Sequence, residues 1–221
     1  MEDVVVADTR RRRDPEARPH QILDAAFYEF AEHGLAGARL DDIAKRAAVA
    51  KGTIYLYFPT KEALFREMVR TTIVAALEMA ELRREETQSL TASAQIRAVA
   101  TGYWARLRTE PFQVVHRLVL ADLPRFPDLM QFYADEVIMR GRRLFAGIVS
   151  RGIAAGEFRD VDPESAARML SALAISHSQW CSKRQHFPGL MKHSDDEIRD
   201  EVIDFYLHAL RPDASVSVPA L

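Results

Sequence analysis

A single cysteine, Cys181, stands in 221 residues, so no intrachain disulfide can form, which fits a reducing compartment. No stretch approaches the ~18 uninterrupted apolar residues that a membrane-spanning helix needs. The opening MEDVVVADTRRRRD sets its short apolar piece before the arginines, the reverse of a secretory signal. Together these absences lead to the expectation of a cytoplasmic protein with no membrane partner. Alternation with period two is nowhere sustained, so no strand is argued, and there is no internal repeat. A P-loop, HExxH, G-x-S-x-G and GxGxxG are all missing. The carboxylates are plentiful but scattered over expected solvent faces, and nothing asks for an enzyme, a cofactor or a metal. The formal net charge is −2, so any basic surface must be local.

What is present is helical punctuation. Pro19 suits the first position of a helix in which Ile22, Ala26 and Phe30 recur at i, i+4, i+8, with Leu23 and Phe27 on the same side. Gly34 supplies a residue able to take positive φ at its end. After Thr60, placed to cap, a long helix carries Leu64, Phe65, Met68, Val69, Thr72, Ile73, Ala76 and Leu77, and is expected to fray in the charged run ELRREETQ. Further helices read as 92–108, 111–123, 127–154, 163–182 and 195–210. Asp162-Pro163-Glu164 is a start signal and Gly156 a turn. The expectation is an all-α chain of about nine helices. Residues 1–17, with Arg10–Arg13, read as a flexible tail or as a basic arm that tracks phosphates, and 212–221 as a second tail.

The stretch Leu40–Lys61, LDDIAKRAAVAKGTIYLYFPTK, reads as two short helices around a tight turn. Ile43, Ala44 and Ala47 form the inner stripe of the first, and Val49, Ile54 and Phe58 the apolar contacts after the turn. Lys51, Gly52, Thr53, Tyr55, Tyr57 and Lys61 remain outward, a mixture of donors, small residues and phenols that suits phosphates and base edges. From Arg39 to Lys61 there are five basic residues against two acidic ones, Asp41 and Asp42.

The segment from Gln21 to Met68 resembles the DNA-binding domain of the TetR family of bacterial repressors. The matching residues are Ile22-Leu23-Asp24-Ala25-Ala26, Phe30-Ala31, Gly34, Asp42-Ile43-Ala44, Ala47, Val49, Lys51-Gly52-Thr53-Ile54-Tyr55, Tyr57-Phe58 and Lys61-Glu62-Ala63-Leu64-Phe65. RLVLADLPRFPDL at 117–129 and GEFRDVDPESAARML resemble the C-terminal domain of an AefR-like subgroup. The resemblance implies a helix-turn-helix three-helix domain over 18–62, a helical effector-binding and dimerisation domain over 63–211, and a homodimer on double-stranded operator DNA. It implies Lys51, Gly52, Thr53 and Leu56 at base edges, and Tyr55, Tyr57 and Lys61 at phosphates, with Arg39 joining the DNA-facing set. Three residues depart from the family pattern. Ala48 replaces the turn glycine, costing about 1 kcal/mol if φ is positive there. Ala50 forfeits the usual serine cap, again about 1 kcal/mol. Arg39 stands where Ser or Thr often caps, leaving Asp41 and Asp42 to offset the helix dipole.

The body is rich in large apolar groups, most of them ordinary core. Those with a polar tip on an apolar face, Tyr103, Trp104, His116, Tyr133 and His177, joined by Leu107, Met130 and Leu173, are the candidates for lining a site for a small apolar or aromatic effector. Met169, Leu173 and Trp180 in one helix and Ile198, Val202, Phe205 and Tyr206 in another are candidates for a four-helix dimer seam, or for packing inside one subunit. His177 and Cys181 share a helical spacing, but two ligands make no metal site. The competing reading is a helical small-molecule binding protein or enzyme in which the motif is a relic.

Overall fold

The computed structural model describes residues 17–186, 189 and 192–212. The basic run Arg10–Arg13 and nearly all of the expected C-terminal tail lie outside the described residues. Every regular element among the described residues is helical, and nine helices follow one another along the chain. They divide between Leu64 and Phe65 into two compact units.

The first unit holds α1 (Arg18–Gly37), α2 (Leu40–Arg46) and α3 (Lys51–Tyr57). Ile22, Ala26 and Phe30 of α1, Ile43 and Ala44 of α2, and Ile54 of α3 are buried, the periodic positions expected to face inward. Within α1 the helical path breaks at Gly34, whose φ of 71° and ψ of 171° belong to glycine alone. The break turns the chain so that Leu35 is fully buried. Between α2 and α3 the turn is closed by the Ala48 amide on the Lys45 carbonyl (3.1 Å) and the Val49 amide on the Ala44 carbonyl (3.0 Å). Ala48 sits there at φ 53°, alone among described non-glycine residues in having positive φ. An alanine Cβ crowds the backbone in that region, so Ala48→Gly is expected to stabilise the protein by roughly 1 kcal/mol. Urea denaturation should read this as a higher midpoint with an unchanged slope. Neither Arg39 nor Ala50 offers a side-chain cap to the helix it precedes.

The helix after Thr60, α4, spans 61–86. It is built from Lys61–Val69, a π turn at Arg70–Val74 and Ala75–Glu86. The Thr60 hydroxyl accepts the Ala63 amide (3.1 Å), which starts the helix where the sequence places it. Its far end lies inside the charged run, as expected, and the helix holds as far as Glu86. Arg140 explains part of this: its guanidinium donates two bonds, 2.7 and 2.6 Å, to the Glu81 carboxylate. That forked pairing holds Glu81 below the usual carboxylate range.

The second unit continues with α5 (Ala92–Leu107), α6 (Glu110–Ala121), α7 (127–154, containing a π turn at Ala134–Ile138), α8 (Pro163–Ser182) and α9 (Asp195–Ala209). Their starts are chemically marked. Thr91 accepts the Ala94 amide, Asp162 accepts the Ser165 amide, and Ser194 with Glu197 forms a reciprocal capping box. The core joins Ile96, Val99 and Ala100 of α5, Leu144, Phe145, Ile148 and Val149 of α7, Ala166, Ala167 and Leu170 of α8, and Ile203 and Tyr206 of α9. Glu157, in the turn after α7, reaches the start of α5 and accepts the Ala92 and Ser93 amides at 2.8 and 3.1 Å. Burial opposes its charge, but these bonds outweigh it and lower its pKa. The two π turns pack against one another. Beside them Phe132 lies under the Arg66 and Arg70 guanidinium groups, at 4.7 and 5.4 Å.

Candidate functional site

The outer face of the first unit is made by α3. Its inner residue, Ile54, is fully buried, which by helical geometry turns Lys51, Gly52, Tyr55 and Leu56 to the outside. Leu56 is 79% exposed, an aliphatic side chain presented to solvent beside a phenol. Thr53 and Tyr57 are half-buried at the edge of the same face, and Arg39 is exposed at the start of α2. Apart from its chain neighbours and the backbone of its own helix, nothing lies within 4 Å of where a Cβ of Gly52 would sit, so neither crowding nor φ demands a glycine there.

The charges on this face are less free than their count suggests. Lys51 donates to the Asp41 carboxylate (2.8 Å), and that bond raises its pKa. Lys45 donates to Asp42 (2.9 Å). Arg46 is forked onto Glu32, at 3.0 and 2.5 Å, and lies 3.4 Å from the buried Glu29. Lys61 points its ammonium at the carbonyls of Ala36 and Ala38, 2.9 and 3.3 Å away. These partners lie ten or more positions away for Lys51, Arg46 and Lys61, beyond what helical spacing can reveal. Glu29, Glu32 and His33 form a cluster with ligand-like spacing, yet the Arg46 guanidinium already sits against its two carboxylates.

In the second unit the eight residues expected to line an effector site sit in different settings. Tyr103 and Tyr133 come together: their phenols feel one another, and Tyr103 also bonds to Ser171, a hydroxyl that sequence periodicity left unnoticed. Burial pushes Tyr133 up to about 12 and Tyr103 further. The Tyr103 ring meets Phe145 edge-on, with centroids 5.8 Å apart. Trp104 and Leu107 are buried on the same helix. His116 stacks on Phe112 at 5.8 Å, and burial lowers its pKa, favouring the neutral ring. His177 donates through Nδ1 to the Leu173 carbonyl one turn earlier (2.9 Å), while Met130 is half-buried. Two hollows of this unit, of about 460 and 410 Å³, lie elsewhere, one beside Arg108 and Asp195 and the other beside Arg97 and Phe158. None of the eight residues lines either.

The expected dimer seam divides. Ile198, Val202 and Tyr206 are buried by their own chain, because i, i+4, i+8 on α9 is the face that packs inward. Those three are corrected to intrachain packing. Phe205, Met169 and Trp180 are exposed, and Leu173 is half-buried. Cys181 is buried beside Asp195 and Arg184, and burial raises the thiol pKa. No helix of the described residues is long and apolar enough to cross a membrane.

Comparison with known proteins accounts for both units. Residues 22–68 match the family of bacterial regulatory proteins designated tetR, and residues 94–211 match the AefR-like transcriptional repressor C-terminal domain. The HTH-type transcriptional repressor SCO4008 of Streptomyces coelicolor is 49% identical over 57 residues, covering 26% of this chain and 30% of that protein. The HTH-type transcriptional repressor KstR2 of Rhodococcus jostii is 28% identical over 177 residues, covering 78% of this chain and 81% of the relative. Among solved structures, the transcriptional regulator FadR of Bacillus subtilis in complex with stearoyl-CoA superposes with a TM-score of 0.71 at 25% identity, over 87% of this chain and 99% of its own. All three relatives are named as regulators of transcription, none as an enzyme. The chain belongs to the TetR family of bacterial transcriptional regulators, and its C-terminal domain is of the AefR-like type.

Proposed function

We propose that this protein is a ligand-responsive transcriptional repressor that binds a palindromic operator as a homodimer and is released by a small, largely apolar effector. The observation that carries the DNA half is Gly52, a glycine on an outer helix face against which no other part of the chain packs. A backbone kept bare where nothing of its own chain needs the room is suited to close approach by another macromolecule. In this reading α3 enters the major groove, Lys51, Gly52, Thr53 and Leu56 face base edges, and Tyr55, Tyr57 and Arg39 meet phosphates. Lys51 exchanges Asp41 for DNA. Lys61 reaches phosphate only by giving up the Ala36 and Ala38 carbonyls, and otherwise holds that segment in place.

The exposed Met169, Trp180 and Phe205, with Leu173, form the seam between two copies. The effector enters the second unit among Tyr103, Trp104, Leu107, His116, Met130, Tyr133, Leu173 and His177. FadR bound to stearoyl-CoA supports an effector with a large apolar part. Binding favours a subunit arrangement unsuited to DNA, and release equals the difference in effector affinity between the two states. As a DNA-bound regulator of a bacterial cell it works in the cytoplasm.

A competition titration tests this. At physiological salt, a palindrome from the neighbourhood of the protein's own gene should compete better than random duplex by a factor of ~10³ or more. Equal competition by the two would end the repressor reading.

A further inference from the structure

Three cationic side chains from three separate parts of the second unit meet at one hollow. Arg108 follows α5, Arg184 follows α8 and Lys192 precedes α9, and all three line the hollow of about 460 Å³ together with Asp195. Asp195 ties two of them down. One of its carboxylate oxygens pairs with Arg184 at 2.5 Å and the other with Arg108. The buried Cys181 thiol donates to the same carboxylate.

The charges at this hollow do not balance. Asp196, the other carboxylate of the lining, is taken by Arg199 at 2.8 Å, and His193 by Glu201 at 2.6 Å. Lys192 is exposed, and no ion pair or hydrogen bond joins it to another described residue. Two guanidiniums thus share one carboxylate and an ammonium has none, in a chain whose formal net charge is −2. The capping box of Ser194 and Glu197 already occupies the start of α9, so the side chains and not the helix end make the excess. Guanidiniums match the oxygens of phosphate as a planar fork, and an ammonium adds a point charge. Because Asp195 holds both guanidiniums before any ligand arrives, little ordering is lost on binding. The hollow has room for more than a phosphate group alone.

We infer that this hollow is a second ligand site, independent of the effector residues, that binds a phosphate dianion, either free or as the monoester of a small organic molecule. Arg108 and Arg184 take its oxygens, and Lys192 answers the remaining charge.

Titration calorimetry of the full-length protein tests this in low salt at about pH 8, where phosphate monoesters are dianions. The probes are inorganic phosphate, phenyl phosphate and dimethyl phosphate. The first two should saturate at millimolar concentration or below, and dimethyl phosphate, a monoanion, should bind roughly tenfold more weakly. Tighter binding of phenyl phosphate than of inorganic phosphate would assign the site to an ester, and the reverse order to the free ion. Lys192→Gln should weaken phosphate binding roughly threefold to fivefold and leave thermal unfolding unchanged. Asp195→Asn keeps the size of the side chain and can still accept from a guanidinium, but removes the competing negative charge. It should unfold at a lower temperature and yet bind phosphate several times more tightly. A merely structural cluster would lose stability in that variant with no gain in affinity. Absence of saturable binding by inorganic phosphate and phenyl phosphate would overturn the inference. So would dimethyl phosphate binding as tightly as the dianions, the mark of a general basic surface, or an Asp195→Asn protein that binds phosphate no better than the native one.

Discussion

Gly152→Ala is expected to destabilise the protein by about 3 kcal/mol, at the upper end of what one added methyl does in a packed interior. A Cβ at Gly152 would stand 2.2 and 2.3 Å from two ring carbons of Phe158 and 2.9 Å from Ala92 Cβ. The ring cannot swing aside freely, since Phe158 is buried and Glu157 beside it is bonded to the first amides of α5. The whole junction of α7, the following turn and α5 must therefore shift. Thermal unfolding should fall by roughly 6–12 °C for a chain of this size. Phe158→Leu in the same chain should return part of the loss, because the clash is with the ring. A comparison substitution, Gly102→Ala, places its Cβ where nothing lies within 4 Å and should stabilise, by about 0.5–1 kcal/mol from helix propensity. Equal effects of the two alanines would show that packing at Phe158 is not what requires the glycine.

Gly52→Ala should separate folding from function in the opposite way. The new methyl meets open space, and alanine suits a helix better than glycine, so stability should rise by up to about 0.5–1 kcal/mol. Operator affinity should fall by about a hundredfold, since a methyl on the backbone holds α3 away from DNA and loosens several contacts together. Gel-shift titrations at fixed salt alongside urea denaturation check both quantities on one sample. A variant more stable and equally tight on DNA would remove Gly52 from the interface.

Much of the fold was readable because helices announce themselves. Periodic apolar residues place α5, α8, α9 and the start of α1 within a residue or two, and Thr60 and Asp162 cap where expected; α1 breaks at Gly34 as expected but resumes to Gly37. Ala48 was readable in a different sense: a missing turn glycine predicted strain, and φ is positive there. What escaped depended on partners distant in sequence. Counting charges left the stretch from Arg39 to Lys61 with five basic residues against two acidic ones, but not which of them pair: Glu29 and Glu32 of α1 answer Arg46, and Asp41 of α2 answers Lys51. A stripe on α9 showed that Ile198, Val202 and Tyr206 share a face, but spacing cannot say whose core covers it. Phe205, beside Tyr206, is turned outward. Ser171 escaped because a hydroxyl inside a helix has no periodic signature, though it bonds to Tyr103. In α4 the expected stripe ran through Thr72, Ile73, Ala76 and Leu77; Ile73 is buried as expected, but its buried neighbour is Val74, and Thr72, Ala76 and Leu77 are only half-buried. The π turn at Arg70–Val74 is the reason: one surplus residue in a single turn moves the stripe.

That surplus residue bears on how α4 tolerates insertions and deletions. An α-helix shortened by one residue turns everything beyond the cut by ~100° about its axis, which carries a buried face out to water. Within Arg70–Val74 a deletion instead converts five-residue bonding to the ordinary four, and both flanking faces keep their orientation. Loss of Thr71, an exposed residue whose hydroxyl bonds only to carbonyls of its own helix, should leave a folded protein. Loss of Glu67, one turn earlier, should not. The π turn is the joint at which the length of this helix is negotiable.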